Sequence, residues 1–356
     1  MTQESHCYSI NLSTANGVLE YKKIISAMNI ENPYYSYEIM NDSANLGKLK
    51  CFVLSHMNQP VIAMPFHLIP ITINNELTPY FDVSSPYGFS GPLYAPDTPD
   101  ALITTFWEEL NKWYVEKNVV SEFIRFGLNY NYRCYNGELV PSLLNVKGKL
   151  IGMDRIWENF KPKVRNNVRK AQKENLECII YHNNISPKVI AIFHEIYINT
   201  MIRNKAEKRY FFDLSYFQLL VQENVGSCAI GIVYLGEIPI SVEFILISSN
   251  TIYSHLGGTV AAYFNYRPND FLKLKIMSWA IEIQKKFYVL GGGRENGDPL
   301  YEYKKSYFPK DVDVIYYTGR KIVQPKIYTQ LIAMQRDHFE DDLPKNNYFP
   351  KYRYKK

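Results

Sequence analysis

The chain has 356 residues, of which 46% are hydrophobic and 21% are charged, and its formal net charge is +5. These values exclude intrinsically disordered and fibrous proteins, and the length predicts about two domains. With so small an excess of positive charge, the molecule as a whole is not a general nucleic-acid binder.

Tyrosine is unusually frequent, with 30 residues against 19 Phe and 4 Trp. Its ring and hydroxyl suit clefts that hold polar ligands, but it is also a strand-forming residue. Its abundance therefore does not distinguish a ligand cleft from a strand-rich fold. No apolar run reaches the roughly 20 residues of a membrane helix, and the first residues show no secretory signal. The five cysteines are odd in number and far apart, which favours reduced thiols in the cytoplasm. No zinc-type spacing of Cys or His occurs, so we expect no metal site.

In the first half, the hydrophobic pattern predicts helices and strands around a loop rich in Pro, Gly and Ser. In chain order these are a helix near Gly17–Met28, strands Lys50–Ser55 and Val61–Ile69, the loop Tyr80–Pro99, a helix from about Thr98 and a strand Val119–Phe126.

The second half carries clearer signals, including Pro in the first turn of a helix and an Asp that can cap another. The predicted elements are a basic helix Arg155–Asn175, a strand Glu177–Tyr181, helices from Ser186 and from Asp213, strands Ser227–Tyr234, Ile238–Ile247 and Thr251–Leu256, a helix from Pro268 to about Lys286 and a strand Phe287–Leu290.

The two halves resemble each other around one hairpin. Residues 51–66 and 229–244 both form a strand, a tight turn, a Pro and a second strand. We therefore predict an α+β fold of two related domains, each a mostly antiparallel sheet with packed helices. The predicted division is residues 1–150, residues 151–320 and a C-terminal extension, 321–356.

Two polar residues in the second half are candidates for proton transfer. His255 shares a strand face with Tyr253 and has a side chain that titrates near neutral pH. Glu243 interrupts an apolar strand, and a buried carboxylate needs either a partner or a function. Each residue is equally explained as a buried, hydrogen-bonded structural group.

Two segments could bind an anion or a developing oxyanion. The strand ending at Gly257–Thr259 is followed by a helix starting at Asn269 or Asp270, whose free N–H groups favour anions. After three glycines at 291–293, an extended segment would place Tyr301, Tyr303 and Lys305 on one face and Glu302 and Lys304 on the other. A lysine inside an aromatic cleft stabilises negative charge, although a surface ribbon is the other interpretation.

The stretch from residue 161 to residue 173 holds six Lys or Arg in thirteen residues. Such a helix could contact the phosphates of a nucleotide-sugar, a lipid diphosphate or an RNA backbone, or be a solvated face.

Taken in order, these segments resemble the Fem-type acyltransferases, which are tandem GNAT-like proteins that include peptidoglycan-bridge aminoacyltransferases. The resemblance covers about residues 80–310 and rests on YFDVSSPYGFSGPL, SEFIRFGLNYN, WENFKPKVRNNVRKAQKENLEC, IYINTMIRNKAEKRYFF, HLGGT, RPNDFLKLKIMSWAIE, VLGGG and LYEYKKSYFP. The last is similar to the family's L-x-x-FK-x-x-F signature, with Tyr303 in place of Phe.

The resemblance implies two GNAT-like domains with an active cleft between them, where an acyl group passes from a thioester or an aminoacyl-tRNA to an amine. It implies that Lys304 stabilises the oxyanion, and that Arg203, Tyr210 and Tyr253 line the cleft of the second domain. We add His255 or Glu243 as the base. The other expected substrate contacts are Gly257, Gly258, Asn269 and Tyr303.

Departures from the family pattern bear on the donor. The acidic residue that often follows the family's Gly-Pro is absent after Gly91-Pro92, and there is no coiled-coil insertion. Both favour an acyl-CoA co-substrate. The usual GNAT pyrophosphate loop is absent at Arg267–Leu272, which favours the opposite conclusion.

The expectation is therefore a cytoplasmic enzyme with no bound cofactor, which transfers an acyl group, such as acetyl from CoA, to an amine of a cell-envelope saccharide precursor. The alternative is an aminoacyl-tRNA-dependent aminoacyltransferase acting on a peptidoglycan precursor, with tRNA as a partner. A non-catalytic saccharide-binding protein is the third hypothesis.

Overall fold

The structure is a computed structural model that describes residues 5–41, 47–336 and 348–354. Its helices are α1 Ala15–Ala27, α2 Tyr37–Met40, α3 Asp100–Glu116, α4 Met153–Asn159, α5 Pro162–Gln172, α6 Pro187–Arg203, α7 Leu214–Glu223, α8 Pro268–Glu282, α9 Pro299–Lys305 and α10 Pro325–Arg336. Its strands are β1 Ser5–Asn11, β2 Lys48–His56, β3 Gln59–Ile73, β4 Glu76–Ser84, β5 Leu93–Tyr94, β6 Val119–Arg125, β7 Glu138–Lys149, β8 Leu176–His182, β9 Cys228–Leu235, β10 Ile238–Ile247, β11 Thr251–Thr259, β12 Phe287–Gly291 and β13 Val314–Ile322. Short 3₁₀ helices occupy Pro33–Tyr35, Lys208–Tyr210, Ala261–Tyr266 and Lys351–Arg353.

Most predicted elements are present, with three corrections. The single basic helix is in fact two helices, α4 and α5, because the chain turns at Phe160 and restarts with Pro162 at the first position of α5. Asp213 precedes α7 as predicted, but its side chain makes no capping hydrogen bond. The predicted loop Tyr80–Pro99 includes the end of β4 and the short strand β5.

The described chain forms two compact units. The first comprises Met1–Ile30, Ile39–Ser142 and Tyr316–Lys356, and the second comprises Glu31–Glu38 and Leu143–Ile315. The domain boundaries that the sequence suggested, near residues 150 and 320, stay predictions.

The sheets of the two units have the same architecture. The first unit has the strand order β1-β2-β3-β4-β6-β13, and the second has β8-β9-β10-β11-β12-β7. Within each sheet, one pair of neighbours is parallel, β4 with β6 and β11 with β12. The other neighbours within each of these two sheets pair antiparallel. The α+β fold with mixed, mostly antiparallel sheets is confirmed, and the shared topology supports the predicted duplication.

The sixth strand of each sheet comes from elsewhere in the chain. In the first unit, β13 pairs with β6 over Thr318–Ile322. In the second unit, β7 pairs with β12 over residues 146–149. Neither strand was predicted, because the register of both depends on partners far away in sequence.

In the second unit, helices cover both faces of the sheet. Phe244 of β10 contacts Phe193 of α6, with ring centroids 5.5 Å apart. The adjacent residue, Glu243, is bonded to Lys273 of α8. Because successive strand residues point to opposite faces, α6 and α8 lie on opposite sides of the sheet.

Within the described ranges, no helix is long and apolar enough to cross a membrane. All five cysteines are free thiols. The cytoplasmic location stays a prediction.

A glycine in β7 tests the packing of the second unit. A Cβ at Gly148 would lie 2.2 Å from the ring of the buried Phe308. We expect Gly148→Ala to lower the free energy of unfolding by about 1–3 kcal/mol, as overpacked cores do. In a Phe308→Leu background, the same substitution will cost less. Urea denaturation of the four proteins measures this coupling, and equal costs in both backgrounds would contradict the steric account.

Candidate functional site

The two parallel strands of the second unit diverge. β11 and β12 are paired only over Thr251–Tyr253 and Phe287–Val289. β11 then continues to Thr259, and among the residues the structure describes, no strand pairs with this edge of β11 beyond Tyr253. At the end of this edge, the N–H of Thr259 is bonded to the Thr200 hydroxyl and its carbonyl to Arg203, so a ligand would meet backbone groups in the stretch between Tyr253 and Thr259. We call this gap the β11–β12 opening.

His255 lies at a β-bulge beside the opening. Phe244 of β10 faces Leu256 and Ile245 faces Ser254, which leaves His255 as the extra residue. Bulges redirect a side chain and are frequent next to active sites. The ring of Tyr34 lies 5.2 Å from that of Tyr253 and 6.1 Å from that of His255. The two predicted site residues are therefore brought together, under a tyrosine that sequence reasoning missed.

The environment of His255 makes it a weak base. Burial lowers the pKa of its imidazole to about 4, so the ring is neutral at physiological pH. Its Nε2 is buried and has no hydrogen-bond partner. An imidazole with such a low pKa accepts the proton of an ammonium group only weakly. The role of His255 as base stays a prediction.

Glu243 belongs to a buried polar cluster. Its side chain is 6% exposed and that of Lys273 is 11% exposed, and the two form an ion pair. Tyr288 donates to the other carboxylate oxygen, and burial and then the Glu243 charge raise the pKa of that tyrosine. Lys273 also donates to Ser254 Oγ at 2.9 Å, on β11. Both oxygens of Glu243 thus have donors, and this accounts for its place in an apolar strand.

The sequence contained a signal for Lys273 that was not used. Asp270 and Lys273 are one turn apart in a helix that is otherwise largely apolar on its buried side. A buried lysine requires an anionic partner, and Glu243 was the unexplained carboxylate.

Lys304 reaches the end of β12. Its Nζ donates to the carbonyl of Gly292 at 2.6 Å. Burial and, to a smaller extent, the nearby charge of Lys273 lower the pKa of Lys304 to about 8, against the opposing effect of Glu243 and Asp298. A Cβ on Gly291 would lie 3.5 Å from Nζ, so the ammonium group also borders that residue.

The segment that carries Lys304 is a helix, and the prediction of an extended ribbon is wrong. Asp298 accepts a hydrogen bond from the N–H of Tyr301 at 2.7 Å and so caps α9, and Pro299 occupies its first turn. Tyr301, Tyr303 and Lys305 therefore do not share one face. Instead Tyr303 meets Tyr307, four residues later, with 2.8 Å between the hydroxyls.

A chain of hydrogen bonds continues from Tyr303 to the start of α8. Tyr307 donates to Asp270 at 2.8 Å, and Asn167 of α5 donates to the other carboxylate oxygen at 3.1 Å. Burial raises the pKa of Asp270, while these donors oppose the rise. The network joins α5, α8 and α9 behind Lys304.

The remaining predicted contacts gather near Thr259. Arg203 donates to the Thr259 carbonyl at 2.7 Å, and Asn269 Oδ1 accepts from the Thr259 hydroxyl at 2.8 Å. Gly257 and Gly258 lie in the last part of β11, which ends at Thr259. Tyr210 lies apart from this group, where its carbonyl accepts a hydrogen bond from Tyr197 of α6.

Gly258 has a structural reason to be glycine. A Cβ there would lie 2.7 Å from the carbonyl oxygen of Ile196 in α6. The absence of a side chain at Gly258 lets α6 pack closely against β11, and Gly258 pairs with Val242 of β10.

The matching gap in the first unit is filled. The N–H of Ser85 donates to Phe123 at 2.9 Å, and that of Ser90 donates to Arg125 at 3.0 Å. The Ser85 hydroxyl accepts from the N–H of Arg125 at 2.8 Å. The loop after β4 is thus bonded to β6, whereas the β11–β12 opening of the second unit has free strand edge.

His255 packs beside Phe244, on the α6 side of the sheet. The opening itself is bordered by the edge of β11 and by Lys304, whose pKa is lowered. Such groups suit addition of an amine to a carbonyl, where an oxyanion develops. In the part of the chain that the structure describes, no three His, Cys, Asp or Glu residues are grouped to hold a metal ion.

Comparison with known proteins identifies the chemistry class. Residues 162–305 match the family model described as an acetyltransferase (GNAT) domain. Those residues include α8, the β11–β12 opening and Lys304. No curated protein matches the sequence.

Solved structures with the same fold cover most of the chain. FemX has 11% sequence identity and a TM-score of 0.64, covering 88% of this chain and 98% of that one. The C-terminal domain of a protein titled a lysylphosphatidylglycerol synthetase, from Agrobacterium fabrum, has 12% identity and a TM-score of 0.56, covering 86% and 92%. L-PGS from Bacillus licheniformis has 13% identity and a TM-score of 0.52, covering 77% and 85%. The expected Fem-like, GNAT-type fold is confirmed.

The ion pair behind the opening gives a stability prediction. We expect Lys273→Met to lower the free energy of unfolding by about 3–5 kcal/mol, because it leaves the Glu243 carboxylate buried and unpaired. The double variant with Glu243→Gln will recover much of that loss, since the neutral amide needs no cation. Denaturant titration tests this, and equal stability of the single and double variants would refute it.

Proposed function

We propose that this chain, an acyltransferase of the GNAT type, transfers an aminoacyl group from an aminoacyl-tRNA to an amine of a peptidoglycan precursor. The expected acetyl transfer from a CoA-type donor becomes the second candidate. The choice depends on how the donor would bind beside the β11–β12 opening.

The observation that carries the proposal is the first turn of α8. A pyrophosphate of CoA needs backbone N–H groups that it can approach closely. Between Arg267 and Leu272 there is no glycine, and Pro268 has no N–H to donate. The carboxylate of Asp270 occupies this turn, and negative charge there disfavours a second anion. A donor that does not rely on this turn fits better.

The comparisons support the same donor. One of the three matching structures is titled as the C-terminal domain of a lysylphosphatidylglycerol synthetase, one as L-PGS and one as FemX. The Fem-type resemblance of the sequence includes peptidoglycan-bridge aminoacyltransferases. The matched region of FemX is nearly the whole of that chain.

In the proposed reaction, the acceptor amine attacks the carbonyl carbon of the aminoacyl ester. A C–N bond forms, the ester C–O bond breaks, and the amine proton passes to solvent or to the leaving ribose oxygen. Lys304, in its ammonium form at the end of β12, donates to the developing oxyanion. Backbone donors along the free edge of β11 assist it.

The donor is tested by offering the purified protein two classes of co-substrate with the same acceptor. The acceptor is a saccharide-peptide precursor that carries a lysine side chain. We expect product with the mass of an added aminoacyl residue when charged tRNAs are supplied, and none with acetyl-CoA. Acetylated product from acetyl-CoA, with no product from charged tRNA, would reject the proposal in favour of the second candidate.

Lys304 gives a pH dependence. With its pKa lowered to about 8, the ammonium form is lost as pH rises through 8, although an unfolded lysine would keep its proton to about 10. We expect kcat to fall on the alkaline side near pH 8 if the charge stabilises the oxyanion. Lys304→Arg keeps its charge, so its activity relative to the wild type will increase above pH 8.

Taking this ratio cancels the ionisation of the acceptor amine, which both proteins share. Lys304→Met serves as the uncharged control and should lose at least tenfold in kcat below pH 8, with a smaller difference at higher pH, where the wild type loses its own charge. A constant ratio of Lys304→Arg to wild type from pH 6 to pH 10 would remove the assigned charge from the mechanism.

A further inference from the structure

An aromatic ring is exposed directly after β11. Phe264, in the 3₁₀ helix Ala261–Tyr266, is 45% exposed. The guanidinium of Arg203 lies 5.1 Å from the centre of its ring. A single exposed ring is common on protein surfaces, so its neighbours decide whether it marks an interaction surface.

Exposed cations occur in both segments that meet at the Arg203–Phe264 contact. Arg203, Lys205, Lys208 and Arg267 are all exposed. The one carboxylate in this run, Glu207, is paired with Arg209 at 3.1 Å. Lys205 and Lys208 form no ion pair with any carboxylate that the structure describes. We call Arg203, Lys205, Lys208, Phe264 and Arg267 the basic–aromatic surface.

The surface borders the candidate site. Arg203 is bonded to the carbonyl of Thr259, the last residue of β11. The helix that carries Phe264 begins two residues later, and Arg267 immediately precedes α8. A ligand that extends from the β11–β12 opening past the end of β11 therefore reaches Phe264 and its cations.

We propose that the basic–aromatic surface binds the unpaired 3′ end of an RNA donor, with a base stacked on Phe264 and phosphates on Lys205 and Lys208. The inference rests on the proposed function, and it names where the donor lies. Exposed rings among cations are the usual means of holding single-stranded nucleic acid, since every base has a face that stacks and every nucleotide has a phosphate. The cation over the ring adds to the attraction of a stacked base.

The probe is an uncharged RNA minihelix with an unpaired 3′ end, compared with the same helix ending blunt. We expect the wild type to prefer the unpaired end. Phe264→Leu keeps an apolar side chain but removes the stacking face, and it should weaken binding of the unpaired end about tenfold. Phe264→Tyr restores the ring and should bind as the wild type does.

The lysines are tested by salt dependence. The double variant Lys205→Gln, Lys208→Gln should lower the slope of log affinity against log salt by about 0.7 for each lysine removed. Lys326→Gln, an exposed lysine of α10 in the first unit, is the matched control and should leave the slope unchanged.

Three outcomes would overturn the inference. The first is that Phe264→Leu binds the unpaired RNA end as tightly as the wild type does. The second is an unchanged salt slope in the double lysine variant. The third is loss of binding to phosphatidylglycerol vesicles in these variants with RNA binding intact, which would assign the surface to a membrane.

The transfer assay separates this inference from the proposed function. Aminoacyl transfer from charged tRNA at wild-type KM in Phe264→Leu and in the double lysine variant would reject the surface and leave the function standing. A wild type that binds neither RNA and uses only acetyl-CoA would reject both.

Discussion

Carboxylates buried in the two units depend on tyrosine hydroxyls. A carboxylate removed from water needs hydrogen-bond donors for its oxygens, and a buried carboxylate without them lowers the free energy of unfolding by several kcal/mol. In this chain the donors are repeatedly tyrosines. The pairs are Tyr288 with Glu243, Tyr307 with Asp270, Tyr301 with Asp313, Tyr114 and Tyr135 with Glu122, and Tyr352 with Asp82. Six of the 30 tyrosines thus have a structural purpose, because each ring packs against apolar neighbours while its hydroxyl donates to a carboxylate.

The candidate site is built on two of these pairs. Glu243 with Tyr288 and Lys273 ties β10, β12 and α8 together, and Ser254 adds β11. Asp270 with Tyr307 ties α8 to the residues just after α9. Lys304 is held next to both groups, and its lowered pKa is set by burial and by the charges of Lys273 and Glu243. The electrostatics of the reactive lysine and the stability of the strands around it therefore share the same residues.

The two units share one strand topology, as the predicted duplication requires, but their openings differ. Both sheets contain one parallel pair, and in both the sixth strand comes from elsewhere in the chain. In the first unit, Ser85 and Ser90 bond the loop after β4 to β6. In the second, β11 leaves β12 after Tyr253, and the edge that results is next to Lys304 and the basic–aromatic surface. We assign the donor to the second unit because hydrogen bonds close the gap between β4 and β6 in the first unit, whereas no strand pairs with the corresponding part of β11 among the described residues of the second.

The order and type of most elements could be predicted from sequence, since they follow from local periodicity and from helix start signals. Examples are Ser186, which caps α6, and Pro268, the first residue of α8. The same local signal, Asp298 followed by Pro299, marks the start of α9. The alternation of Tyr and Lys that follows is instead typical of an extended strand, and the prediction based on it is wrong. Lys304 was found through a family resemblance, not through its spacing.

Tertiary structure alone decided the rest. Several features join residues that are far apart in the chain. They are the pairing of β7 with β12 and of β13 with β6, the bulge at His255, the contact of Tyr34 with Tyr253 and the ion pair of Glu243 with Lys273. Local propensity is blind to such contacts, because they are fixed by the register of strands and by which buried charge finds which donor. The sequence by itself determined two similar α+β halves and a lysine in an aromatic segment. Only the folded chain determined that strands part beside that lysine and that burial lowers its pKa.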